Sequence, residues 1–213
     1  MTLIKLCGLR RLCDVEAANA LRPDCVGFVF AKASRRYISP DEVRHLRGAL
    51  QPGIQAVGVF VRENPEQIAA LLNEEVIDMA QLHGGEDDDY VKRLRALTDR
   101  PIIQAYRVGG RNDLDRARRS AADLILLDSG AGGTGSPFDW ALLRDFDRPY
   151  FLAGGLNPDN VAQAIDELRP FGVDVSSGIE TDGFKDIGKM KAFVATVRTI
   201  DESLQIKSQS PVS

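Results

Sequence analysis

Short runs rich in β-branched and aromatic residues recur along the chain, and between them lie stretches with helical start signals. Leu3–Cys7, Cys25–Phe30, Ile54–Val61, Met79–Leu82, Ile102–Tyr106, Leu124–Leu127, Tyr150–Leu152 and Gly172–Val175 read as strands. Ser39-Pro40-Asp41-Glu42, Asn64-Pro65-Glu66 and Asn157-Pro158-Asp159 each place a capping side chain before a proline at the first helical position. Strict β-then-α order implies parallel strands joined by right-handed crossovers, and the nearly unbroken apolar character of the runs fits a sheet covered on both faces. Eight such units predict an α/β fold, a single-domain (β/α)8 or TIM barrel. A doubly wound open sheet is the alternative, but no Gly-x-Gly-x-x-Gly turn follows the first strand.

No linker divides the 213 residues. Residues 1–202 are assigned to the barrel, and the polar, aperiodic stretch 203–213 is expected to be a frayed or disordered tail. The net charge of −4 and the scatter of Lys and Arg recommend neither a nucleic-acid nor a membrane-surface partner, so the expected partner is a small molecule. No run reaches the length of a membrane span or has the form of a secretion signal, and a cytoplasmic location is expected. Cys7, Cys13 and Cys25 have no metal-ligand spacing.

In such a barrel the active site is built where strands end at their C-termini. Gly154-Gly155 after the seventh strand and Ser176-Ser177-Gly178 after the eighth are suited to an anion, because backbone N–H groups in tight turns can point at a phosphate. Gly154-Gly155 alone reads equally well as a tight turn; the paired occurrence after strands seven and eight points to a phosphorylated substrate. Cys7 ends the first strand before a glycine, so its thiol is expected at the barrel mouth as a base or nucleophile. Cys13 and Cys25 lack that position and read as small hydrophobes. Asp128 closes an apolar run, and partial desolvation there would raise its pKa toward that of a proton donor. The glycine-rich segment that follows, Ser129 to Gly135, has the composition of a lid. Arg36, after the second strand, could clamp a carboxylate with two parallel N–H bonds. His83 is a possible supporting group near the mouth, although a structural hydrogen bond is an equally good reading.

Together these residues resemble the phosphoribosylanthranilate isomerase family. The resemblance is carried by Lys5-Leu6-Cys7-Gly8, Gly27-Phe28-Val29-Phe30, Arg36-Tyr37-Ile38-Ser39-Pro40, Gly58-Val59-Phe60-Val61, Gln81-Leu82-His83-Gly84 and Leu127-Asp128 in the first half of the pattern. Gly133-Thr134-Gly135, Phe138-Asp139-Trp140, Leu152-Ala153-Gly154-Gly155-Leu156-Asn157-Pro158 and Asp174-Val175-Ser176-Ser177-Gly178-Ile179-Glu180 complete it, to about Phe193. It implies an Amadori rearrangement of N-(5-phosphoribosyl)anthranilate to 1-(2-carboxyphenylamino)-1-deoxyribulose 5-phosphate in tryptophan biosynthesis, with no metal or organic cofactor, by a monomer or homodimer. Asp128 would be the general acid and Cys7 the general base. Arg36, rather than its neighbour Arg35, would hold the anthranilate carboxylate, and the two glycine loops the phosphate.

The residues themselves agree, since an aldose-to-ketose shift needs one acid, one base and an anchor at each end. Alternation also puts Lys5 on the face of Cys7, and strand closure makes Asp174 its candidate partner; Lys5 is expected to lower the Cys7 pKa from about 8.5. The sister isomerase of histidine biosynthesis, or a dual-substrate version, is the competing reading, but it generally carries aspartate where Cys7 stands. A metal-dependent pentose-phosphate epimerase is disfavoured by a chain with two histidines. A barrel that only binds a sugar phosphate is disfavoured by the presence of both Cys7 and Asp128.

Overall fold

The computed structural model describes residues 1–128 and 140–209, with side chains to residue 206. Eight parallel strands close into one barrel in chain order: β1 (Leu3–Cys7), β2 (Cys25–Val29), β3 (Gln55–Phe60), β4 (Met79–Leu82), β5 (Ile102–Arg107), β6 (Leu124–Asp128), β7 (Tyr150–Ala153) and β8 (Gly172–Val175). The barrel is therefore as expected, and every strand lies within two residues of its sequence assignment at either end.

Helices α1 (Leu12–Leu21), α2 (Pro40–Ala49), α3 (Pro65–Asn73), α4 (Asp88–Arg95), α5 (Arg111–Arg119), α6 (Val161–Leu168) and α7 (Ile187–Gln209) are the α-helices of the described residues. Ser39 begins α2 with a full capping box to Glu42, and Asn64 caps α3 by accepting from the Glu66 N–H. The third start signal behaves differently. The Asn157 carboxamide accepts from the N–H groups of Asp159 and Asn160 at 2.8 and 3.2 Å, making a turn of its own, and α6 begins only at Val161. Between β6 and β7 the described residues hold one short 3-10 turn, Trp140–Leu143, and the segment 129–135 read as a lid lies outside them.

The expected fraying from Ser203 is corrected in part. α7 continues to Gln209, with the Ser203 hydroxyl donating to the Thr199 carbonyl at 2.9 Å and Leu204 packing on the core, while residues 210–213 lie outside the description.

The larger apolar core lies between barrel and helices; Ile4, Leu6, Val26, Phe28, Phe60 and Leu82 point outward into it. Alternate residues fill the barrel interior, where Val57, Ile103, Leu126 and Phe151 form one layer and Cys7, Val29 and Val59 a second nearer the mouth. Lys5 belongs to the interior set and is fully buried. Register places Lys5 opposite Asp174, and their side chains pair at 2.8 Å, so the first and last strands are joined by a buried ion pair where the barrel closes. Beyond β8 the chain makes a small antiparallel hairpin, β9 (Glu180–Thr181) and β10 (Phe184–Lys185), before α7. Asp182 and Gly183 turn it with positive φ at both central positions, the geometry that matches a hairpin's twist.

Candidate functional site

A cavity of about 620 Å³ opens at the C-terminal ends of the strands, well within the size range of small-molecule sites. Followed around the rim, it meets Asp128 on β6, Gly154 and Gly155 after β7, Ser176 and Ser177 after β8, Cys7 on β1 and Arg36 after β2. His83 and Asp174 also line it. Most of the residues singled out in the sequence are thus brought to one mouth; Gly178 is not among those lining it and packs against the Leu156 backbone, and Lys5 is buried and paired with Asp174, which does line it. Among the described residues, no group of three or more His, Cys, Asp or Glu side chains is placed to hold a metal ion.

Cys7 is buried at the rim, its thiol given room by a neighbouring strand: a Cβ on Gly27 would lie 2.6 Å from Cys7 Sγ. Burial pushes the thiol above its ordinary pKa, while Lys5 and Lys185 favour the thiolate and Asp174 opposes it. The expectation that Lys5 lowers the Cys7 pKa is therefore right in sign for Lys5 alone and wrong for the sum, because desolvation outweighs the nearby ammonium. Lys5 itself feels burial pulling its pKa down, but Asp174 and then Cys7 carry it above the usual lysine range, so it stays charged.

Asp128 is partly shielded, its side chain 23% exposed, and its Oδ2 lies 3.3 Å from His83 Nε2. His83 Nδ1 is 3.0 Å from the Gln81 side-chain nitrogen. With that amide donating to Nδ1, a neutral ring carries its proton on Nε2, toward Asp128. Arg107, at the end of β5 and in register with Asp128, faces the same mouth. A second cavity of about 480 Å³ continues past His83, Arg107 and Asp128.

The two arginines of the doublet differ in setting: Arg36 lines the cavity and is half-buried, whereas Arg35 is exposed. Arg36 is not idle, however. Its Nε and Nη2 donate to the two carboxylate oxygens of Glu180, each at 2.7 Å.

The two glycine loops lean on each other. Gly154 and Gly155 adopt φ of +91° and +68°, which fits glycine, and a Cβ on Gly178 would fall 1.9 Å from the Leu156 carbonyl oxygen. Ser177 opens a 3-10 turn over Ser177–Ile179, whose first N–H groups are free of helical bonds by construction. The Ser176 hydroxyl is committed elsewhere: it donates to the Cys7 carbonyl at 3.1 Å, and Lys185 Nζ donates to the Ser176 carbonyl at 2.9 Å.

Glu180 and Lys185 are the site neighbours that sequence reasoning missed. The Asp182-Gly183 pair, a strong hairpin signal, was the clue that would have placed them face to face.

The matching family model, N-(5'-phosphoribosyl)anthranilate (PRA) isomerase, spans residues 4–196. A relative from Endomicrobium trichonymphae named N-(5'-phosphoribosyl)anthranilate isomerase is 43% identical, over 94% of this chain and 100% of its own. The crystal structure of phosphoribosyl anthranilate isomerase from Thermotoga maritima superposes with a TM-score of 0.84 at 39% identity, covering 93% of this chain and 100% of that one. Another structure describes that organism's protein as dimeric. A further structure of such an isomerase, in complex with reduced 1-(o-carboxyphenylamino)-1-deoxyribulose 5-phosphate, gives 0.82 at 38% identity with the same coverage.

Proposed function

The chain belongs to the N-(5'-phosphoribosyl)anthranilate isomerase family, and on that premise we propose that Cys7 is the base and Asp128 the acid of its reaction. The activity is the family's, isomerisation of N-(5'-phosphoribosyl)anthranilate in tryptophan biosynthesis. One observation carries the assignment of roles: Cys7 and Asp128 face a single cavity from opposite arcs of its rim, with candidate anchors for the substrate's two ends between and beyond them.

Asp128 gives a proton to the furanose ring oxygen as the C1–O bond breaks, and the amine lone pair forms the C1=N bond of a Schiff base. Cys7, as thiolate, takes the proton from C2, and its electron pair flows to nitrogen to give an enolamine. Ketonisation then carries the enol proton of the C2 hydroxyl away and places a proton on C1. Neither proton transfer leaves the mouth, which suits a site whose acid and base stand on separate strands.

Arg36 receives the anthranilate carboxylate, and the loops at Gly154-Gly155 and Ser176-Ser177-Gly178 receive the phosphate through backbone N–H groups. His83 supports Asp128 through the contact at 3.3 Å, and Lys5, held by Asp174, supports the thiolate. The catalytic unit is a monomer or homodimer working in the cytoplasm; among the described residues no helix is long and apolar enough to cross a membrane.

The test follows loss of the substrate's anthranilate fluorescence with the wild type, Cys7→Ser and Asp128→Asn. Each variant should turn over at least about 100-fold more slowly, the usual weight of a general acid or base. Absence of turnover by the wild type would overturn the activity, and full turnover by either variant would overturn that residue's role.

A further inference from the structure

Arg36 lines the cavity with part of its guanidinium already engaged. The fork made by Nε and Nη2 is closed by Glu180, one carboxylate oxygen to each nitrogen at 2.7 Å. A guanidinium has five N–H donors in a plane, and three remain: both on Nη1 and the second on Nη2. One from each of those nitrogens points along a second edge, which is itself a bidentate carboxylate receptor.

Glu180 does not hold that position alone. It stands opposite Lys185 in the β9–β10 hairpin, and Lys185 Nζ donates to Glu180 Oε1 at 2.7 Å. Exposure falls in order through the cluster, with side chains of Arg36, Glu180 and Lys185 at 22%, 7% and 1%. Lys185 also donates to the Ser176 carbonyl, and Ser176 to that of Cys7, so the cluster is bolted to the strands that carry the base and the phosphate loop. Against the effect of burial, Arg36 and Lys185 hold the Glu180 carboxyl down at about 2. Two cations thus share one anion, and Arg36 is the member of the cluster that lines the cavity.

Accepting Arg36 as the carboxylate anchor, we propose that Glu180 and Lys185 are positioning residues for substrate recognition: Glu180 fixes the Arg36 guanidinium by its inner edge so that the outer edge meets the substrate's carboxylate, and Lys185 fixes Glu180. The ligand class is an aryl carboxylate ortho to the bridging amine. Selectivity for it resides in a three-residue charge cluster rather than in one arginine.

The experiment compares the Kd of reduced 1-(o-carboxyphenylamino)-1-deoxyribulose 5-phosphate with that of the same compound lacking the carboxylate, by calorimetry, for wild type, Arg36→Met, Glu180→Ala and Glu180→Gln. The ratio of the two constants measures carboxylate preference alone. Glu180→Ala should lower that ratio about ten-fold, the worth of one charge-assisted hydrogen bond, while binding the carboxylate-free compound as the wild type does. Glu180→Gln, which keeps one acceptor for Arg36, should restore part of the preference. Loss of affinity for both compounds alike would make the hairpin a structural staple and overturn the inference. Tighter binding of the carboxylated compound by Glu180→Ala would make Glu180 a competitor and overturn it too. If Arg36→Met keeps the wild-type ratio, the anchor role given to Arg36 falls; if it loses the ratio and Glu180→Ala keeps it, only the positioning role falls.

Discussion

Replacing Gly178 by alanine puts one methyl group between the two loops proposed to hold phosphate. The added Cβ would lie 1.9 Å from the Leu156 carbonyl oxygen, 2.9 Å from its carbonyl carbon and 3.0 Å from Asn157 Cα. All three are backbone atoms, so no side chain can rotate away. Reaching even the closest tolerable contact requires the loops after β7 and β8 to part by about 1 Å. Overpacking of this kind typically costs about 1–3 kcal/mol in stability. The catalytic cost should lie at the upper end of the same range, since a 1 Å misplacement of binding groups is worth roughly 100-fold in rate, about 2.7 kcal/mol. Gly178→Ala should therefore lower kcat/KM by about 100-fold, chiefly through KM, in the fluorescence assay. Its urea midpoint should fall modestly. For stability, Gly155→Ala is the comparison: its Cβ meets nothing within 4 Å, so its urea midpoint should report the positive φ without overpacking, at about 1 kcal/mol. A Gly178→Ala enzyme with wild-type KM would refute the claim that the two loops work as one clamp.

Three further outcomes follow from the charges. Cys7 sits above its ordinary pKa with Lys5 among the groups opposing the rise, so turnover should climb with pH as thiolate forms, and Lys5→Met should move that climb to higher pH; an unmoved profile would remove Lys5 from the base's environment. Lys5→Met also strands a buried Asp174 carboxylate, a loss of about 3–5 kcal/mol in urea unfolding that Asp174→Asn in the same chain should largely recover. The Glu180 carboxyl is depressed to about 2, so its contribution is complete above the ordinary carboxylate value of 4.5 and is lost as pH falls toward 2; an acid-unfolding curve of Glu180→Gln should be flatter across that window, and an identical curve would deny the cluster its stabilising role.

The strands were legible because each is a short apolar run with its own boundary residues, and a strand buried on both faces needs little else. The position of Cys7 and Asp128 at the rim was legible for a related reason: each closes such a run, and period-two alternation lets the residue at a strand's end face either the helices, as Phe60 does, or the barrel interior, as Cys7 does. Asn157 was not, because a carboxamide before proline serves a helix cap and an isolated turn equally well, and three-dimensional context chooses. Nor was the balance at Cys7, since desolvation depends on all eight strands while Lys5 depends on one. Glu180 and Lys185 were hidden because two-residue strands have no periodicity, and Arg36, their partner in space, lies 144 residues before Glu180 in sequence.

The pairing of Lys5 with Asp174 closes the barrel across a separation of 169 residues. During synthesis at roughly 5–20 residues per second, β1 must then wait about 10–30 s for the strand that completes it. Until then the base has no neighbouring phosphate loop, and the lysine beneath it has no counter-charge. A ribosome-bound chain lacking β8 should accordingly carry both reactive side chains yet have no isomerase activity, and the edge of β1 is the surface it would offer to a chaperone.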